Sequence, residues 1–227
     1  MRAGRHWLLW THWSPVPTIP DELSHSLAEL SGLVLSPGDT ETTVERVAHL
    51  AEGMVRDCDG VGVTLLSNGE LTTAACTAEV AREIDAAQYQ TGRGPCLDAF
   101  DQLQVFSIPS LLEDSSWPAF RAAAIERGIM SSLSLPLTFA GLSLGALNMY
   151  SRQPYAFDEC REAGLLFAAQ AGVALASAQL REASEKVVHG AGVAVQTGDV
   201  VGQARAILVE EQGCTPEEAL EVLRRRS

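Results

Sequence analysis

Residues 60–100, GVGVTLLSNGELTTAACTAEVAREIDAAQYQTGRGPCLDAF, decide the fold class of this 227-residue chain. Val61, Val63 and Leu65 alternate with Gly62, Thr64 and Leu66, and that period of two predicts a strand. Asn68-Gly69 supplies the two-residue turn that right-twisted antiparallel strands favour, and Leu71–Cys76 forms the return strand. A helical stretch over 78–90 follows, and the turn at Gly92–Pro95 leads into a short helix.

Before this stretch, Leu23, Leu27, Leu30 and Val34 share one helical face from Asp21 until Pro37-Gly38 breaks it. A second helix, from about Thr42 to Asp57, carries Val44, Val47, Leu50, Ala51 and Val55 on one stripe. Beyond it come a brief strand near 105–108 and a helix over 117–127 marked by Ser116 and Pro118. Strands over 131–137 and 144–150 are joined through Gly141, and a helix over 157–188 closes the domain near Gly190. This order is α+β rather than a βαβ repeat, and it predicts an antiparallel sheet with helices on one face. Residues 1–20, with Trp7, Trp10, Trp13 and three prolines, show neither period and are expected to form an extended or disordered arm.

Composition narrows the function. Sixteen basic against twenty-nine acidic residues give a net charge of −13, which argues against a general polyanion binder and leaves only local nucleic-acid contact. Five cysteines without a C-x-x-C pair, and histidines all outside 50–188, make a poor metal or disulfide framework. Residues 163–180 carry no charge, yet seven of these eighteen are Ala, so a buried helix fits better than a membrane span. The expectation is a cytoplasmic protein with no membrane partner, no metal and no specified cofactor. No Ser-His-Asp set, paired catalytic carboxylates or phosphate-binding glycine loop is present in the sequence pattern, so no catalytic residue is assigned and a non-enzyme is expected.

The tail has its own logic. Thr215-Pro216-Glu217-Glu218 is a capping box with proline at the first helical position, and Gly213 is placed to end the preceding helix. Two helices of about 12 residues cannot hide both of their apolar faces alone, so they must pack on something else. Arg224, Arg225 and Arg226 form the one dense basic run, one helix away from Arg205. They suit either RNA phosphates or a solvated helix C-terminus, where cations complement the macrodipole. From residue 181 on, six basic and eight acidic residues leave the tail net negative, and no aromatic residue follows Phe167 to stack on bases.

The quoted stretch, with WPAFRAAAIERGIMSSLSLPLTFAGLSLGALNMYS (117–151) and FDECREAGLLFAAQAGVALASA (157–178), resembles a GAF domain, more narrowly those of bacterial regulators that carry a C-terminal ANTAR module. The spacing of Gly92, Gly94, Pro95, Cys96, Leu97 and Asp98 is part of that likeness. The tail DVVGQARAILVEEQGCTPEEALEVLRRRS is similar to the ANTAR pattern, departing from it at Gly198 and Ala206, and the chain stops at Ser227 where the third helix of that family begins. The resemblance implies a GAF-like antiparallel sheet flanked by helices over 21–188 and a partial, all-α ANTAR-like tail over 189–227. It further implies a homodimer paired through the N-terminal and closing helices, sensing a signal or small-molecule ligand, with a tail that binds a hairpin in nascent RNA and prevents termination. Gln203, Arg205, Arg224 and Arg225 are the candidate RNA contacts. The alternative is a ligand-sensing or dimerisation GAF protein whose RNA-binding output has decayed.

A ligand pocket is expected between the sheet and the 92–130 crossover, lined by Cys96, Phe100, Trp117, Phe120, Asn148 and Tyr150. As core residues, each of these needs no ligand. Cys96, at a turn into a helix and near Arg93, has two readings: a reactive thiol activated by the helix N-terminus, or a small residue buried below the turn.

Overall fold

The computed structural model describes residues 21–212 except Pro37 and Asn68, together with Thr215 and Glu218; over 187–212 it describes the backbone alone. The elements are α1 (Asp21–Leu35), α2 (Thr40–Met54), β1 (Gly60–Ser67), β2 (Glu70–Cys76), α3 (Glu79–Thr91) and α4 (Pro95–Gln102). They continue with β3 (Phe106–Ile108), α5 (Pro118–Glu126), β4 (Ser131–Phe139), β5 (Leu142–Ser151) and α6 (Arg161–Gln212). All strands pair antiparallel in one sheet of order β2-β1-β5-β4-β3, the α+β architecture expected from the element order.

Local chemistry accounts for the ends of these elements. Asp39 caps α2 by accepting the Thr42 N–H at 2.8 Å, a bond that holds its carboxyl below the usual range; the cap starts the helix earlier than its apolar stripe indicates. Gly92 ends α3 in the left-handed region, and Pro95 opens α4 at its first turn. Ala140 and Gly141, both at positive φ, make the tight turn between β4 and β5. Pro136 sits in β4 beyond the three residues that β3 covers, where its missing N–H breaks no third-strand ladder.

The sheet is buried on both faces, and here the expectation of helices on one face is corrected. Val61, Val63, Leu65, Leu133, Leu135, Leu137, Leu147 and Met149 point to one side, where they pack with Leu30, Val44, Val47, Ala51, Phe167, Ala168, Ala171 and Leu175 of α1, α2 and α6. The alternate residues, from Gly60, Gly62 and Thr64 to Asn148, Tyr150, Ser132 and Ser134, face α3, α4 and α5. Small and polar side chains on that second side hide its burial from a simple period-two reading.

The described residues divide into two compact units, the first running to Ser177 and the second starting at Ala178. Within the first, the opening turns of α6 lie in the core through Phe167, Ala168, Ala171 and Leu175. The stretch 161–186 has the length and apolar composition of a membrane span, but the part in the first unit is a core helix. The helix starts at Arg161 rather than near 157, and its backbone continues to Gln212 instead of ending near Gly190. A lone helical glycine costs only about 1 kcal/mol; termination needs a left-handed residue or a following proline. In the second unit, the Thr215 N–H donates to Glu218 Oε2 at 2.8 Å and the Glu218 N–H donates to Thr215 Oγ1 at 3.3 Å, the reciprocal capping box read in the sequence. The Trp-rich arm, Gly213 and the basic run of 224–226 lie outside the described residues.

Candidate functional site

The polar face of the sheet meets α3 and α4 in a network centred on Asp85. Ala81, Ile84, Asp85 and Gln88 recur at helical spacing on the buried face of α3, so the carboxylate is carried inward by the same face that anchors the helix. Asp85 Oδ1 accepts the Tyr150 hydroxyl at 2.5 Å, the Asn148 amide at 3.0 Å and the Gln88 amide at 3.5 Å, while Oδ2 accepts the Thr73 hydroxyl at 3.0 Å. Full burial drives its pKa up to about 7, against the opposing pull of Tyr150, Thr73, Asn148 and, through its charge, Arg82.

A strand irregularity completes the network. Ala75 stands opposite Val63 but Thr73 stands opposite Thr64, so Ala74 is an extra residue in β2. The shift brings both threonines to the Tyr89 hydroxyl, at 2.8 Å from Thr64 and 2.9 Å from Thr73. Tyr89 in turn lines a surface cavity of about 420 Å³ with Gly69, Glu70, Leu71, Gly92 and Leu97. A side chain at Gly62 would overlap Asp85 Oδ2, and one at Gly94 would overlap the Gln88 amide, so both glycines are required by close approach.

The structure brings together three of the expected pocket residues. Cys96, Asn148 and Tyr150 all join the network: the Asn148 amide also reaches Thr64 Oγ1 at 3.2 Å, and the Cys96 N–H donates to Gln88 Oε1 at 2.9 Å. Phe120 packs beside Tyr150 in an apolar cluster with Ile84, Ile108, Leu111 and Ile129. Trp117 stands at the rim, its indole N–H on Asp98 Oδ2 at 2.9 Å and its ring edge-on to Phe106; Phe100 is half-buried on α4. The network around Asp85 extends beyond these residues. Asp85, Gln88, Thr64, Thr73 and Tyr89 belong to it although the sequence pattern had not marked them as site residues; an acid and an amide on an apolar helical stripe are the available signal.

Cys96 follows the second of its two readings. The residue is fully buried, its Sγ lies 3.3 Å from Thr64 Oγ1, and burial with the Asp85 charge pushes its thiol up to about 12. Desolvation outweighs any help from the helix N-terminus, so the thiolate is suppressed. Cys58 is half-buried, and desolvation pushes its thiol up to about 11. Among the described residues no cluster of His, Cys, Asp or Glu has metal-binding geometry. The side chains of Gln203, Arg205, Arg224 and Arg225 lie outside the described residues.

Comparison with known proteins gives the same two parts. Residues 38–176 match the GAF domain family and residues 191–227 match the ANTAR domain family. A GAF sensor protein from Burkholderia vietnamiensis is similar in structure, at TM-score 0.56 and 17% identity, covering 70% of this chain and 96% of that one. The free methionine-R-sulfoxide reductase of Neisseria meningitidis, solved with its substrate, is similar at TM-score 0.56 and 16% identity, covering 72% of this chain and 96% of that one. At such identities the likeness speaks for the fold alone. No curated protein sequence matches the chain.

Proposed function

We propose that this chain, which belongs to the GAF domain family and whose residues 191–227 match the ANTAR domain family, is a signal-controlled, cytoplasmic transcription antitermination regulator. The observation that carries this reading is the succession of the two domains, with a single helix, α6, whose backbone runs from the first compact unit into the second. The GAF part senses a signal at the Asp85 network, and the tail binds a hairpin in nascent RNA through Gln203, Arg205, Arg224 and Arg225. Signal binding shifts the population of helix arrangements and so changes how the tails meet the transcript. The protein acts as a homodimer through α1 and α6, a reading supported by apolar exposure on Leu35 of α1 and on Leu165 and Leu166 of α6.

The chain is read as non-enzymatic, although sulfoxide reductases share its fold. Cys96 is buried beside a carboxylate with its thiol pushed up, which suits packing rather than nucleophilic attack. Gel retardation of a stem-loop RNA tests the output: binding should weaken with salt, and Arg205→Ala should reduce it. Undiminished binding by that variant overturns the assigned contact, and no retention at low salt selects the decayed-output alternative. Methionine sulfoxide consumption that disappears in Cys96→Ser would reverse the non-enzyme reading.

A further inference from the structure

Three buried polar atoms on the second face of the sheet have no hydrogen-bond partner: Asn148 Oδ1, Ser132 Oγ and Ser134 Oγ. They are neighbours. Ser134 stands opposite Asn148 and Ser132 opposite Tyr150 across the β4–β5 ladder, and Asn148 and Tyr150 both donate to Asp85. Buried polar atoms in folded proteins are nearly always partnered, and leaving one unmade is costly, so three together mark a place that receives something.

The chemistry of these groups restricts what it receives. Asn148 Oδ1 and the Asp85 carboxylate only accept; the two serine hydroxyls accept or donate. The titratable groups around Asp85 are Tyr89 from α3, Cys96 from α4 and Tyr150 from β5, all held neutral, and Arg82 from its own helix. Arg82 is an exposed residue whose guanidinium is turned to Cys76 Sγ at 3.1 Å, so it does not supply a buried counter-charge to a ligand. An anion here would face a carboxylate without compensation, whereas a cation with N–H donors meets four acceptors.

We propose that this face binds a small ligand bearing a primary ammonium or amidinium group, held by Asp85, Asn148, Ser132 and Ser134. The proposal rests on the sensing role above and names its ligand class. α4 and the crossover to α5 form the cover. Leu103 and Trp117, at φ 55° and 44°, bracket that crossover, and bulky residues in the left-handed region store strain that a moving cover would release. Tyr89, whose hydroxyl joins the network through Thr64 and Thr73, also lines the surface cavity.

Melting of the full chain tests this with methylammonium and acetamidinium chloride, titrated to about 50 mM because fragments of this size bind in the millimolar range. Sodium chloride, acetate and phosphate at equal ionic strength serve as controls. The two cations should raise the melting temperature by about 4 °C at a tenfold excess over Kd, more at pH 8 than at pH 5.5, and the sodium salts should not. Asp85→Asn and, separately, Ser134→Ala should lose the shift; the serine variant keeps the test valid if the aspartate variant fails to fold. An equal rise with acetate or phosphate, no rise with either cation, or a full response in Ser134→Ala overturns the ligand class. RNA retention is measured apart from these, so loss of the ligand class leaves the antitermination reading standing, and the reverse also holds.

Discussion

The two faces of the sheet are built from alternate residues of the same strands, yet they follow opposite rules. On the side of α1, α2 and α6, β4 offers Leu133, Leu135 and Leu137; one residue out of step, it offers Ser132, Ser134 and Pro136 to α4. The aliphatic face needs only shape and gains stability in proportion to the apolar area it hides. The polar face hides about as completely, but it must satisfy each donor and acceptor individually. It carries a carboxylate near its titration point and three polar atoms without partners. Aliphatic packing and buried polar contacts are thus separated by a single residue of register.

Breaking the aliphatic face should have the largest effect. Leu135 is fully buried in the main cluster, so Leu135→Ala should cost about 2–5 kcal/mol in urea unfolding, the lost transfer energy plus the cavity left behind. A loss below 1 kcal/mol would mean that α6 closes over the gap, and that this side is softer than its packing implies.

The second effect belongs to Asp85 and has a definite sign. Its folded pKa, raised to about 7, lies above the unfolded value near 4, so between those limits the native state holds a proton that the unfolded chain releases. Its contribution is fully present below about pH 4, is lost as pH rises to about 7, and is constant beyond. A tenfold difference in proton affinity between the folded and unfolded chain is worth about 1.4 kcal/mol. Asp85→Asn keeps an acceptor for Tyr150 and a donor for Thr73 while removing the charge. The difference in unfolding free energy between the two proteins should therefore widen in favour of the variant from pH 4 to 7 and then level off. A constant difference across that range would show that Asp85 is already ionised at low pH.

Gly62→Ala comes next. Its methyl overlaps Asp85 Oδ2, so we expect a loss of about 1–3 kcal/mol, the range seen when a packed interior is overfilled. In an Asp85→Ala background the same change should cost much less. Equal losses in both backgrounds would place the strain in β1 rather than in the contact.

Much of this contrast could be read from letters alone, and what could not is physically specific. Both hairpins, the helix opened by Pro95 and the Thr215–Glu218 capping box depend on neighbours in sequence, and all are legible. The aliphatic face is legible because Leu133, Leu135 and Leu137 alternate cleanly. The burial of the other side is not, because glycine and serine suit solvent as well as a close-packed helix. The extra residue at Ala74 is invisible from β2 alone, since a bulge is a relation between two strands, and without it Thr73 would not meet Tyr89. Asp85 and Gln88 fall between these cases: their spacing with Ala81 and Ile84 is plain, but only the packed helix turns an acid on that stripe into a buried one.

The smallest effect is the sharpest test of the contrast, because it concerns the residue next to Leu135. Ser134 presents a hydroxyl with no partner in a fully buried position, and removing it deletes an uncompensated desolvation cost without opening a large cavity. Ser134→Ala should therefore leave stability within about 1 kcal/mol of the parent, with the sign toward greater stability. Leu135→Ala, one position away, should be destabilised by several times that amount. A loss above 1 kcal/mol for Ser134→Ala would mean that its hydroxyl is already satisfied in the folded protein, and the polar face would then be a finished core like its counterpart rather than a surface still short of partners.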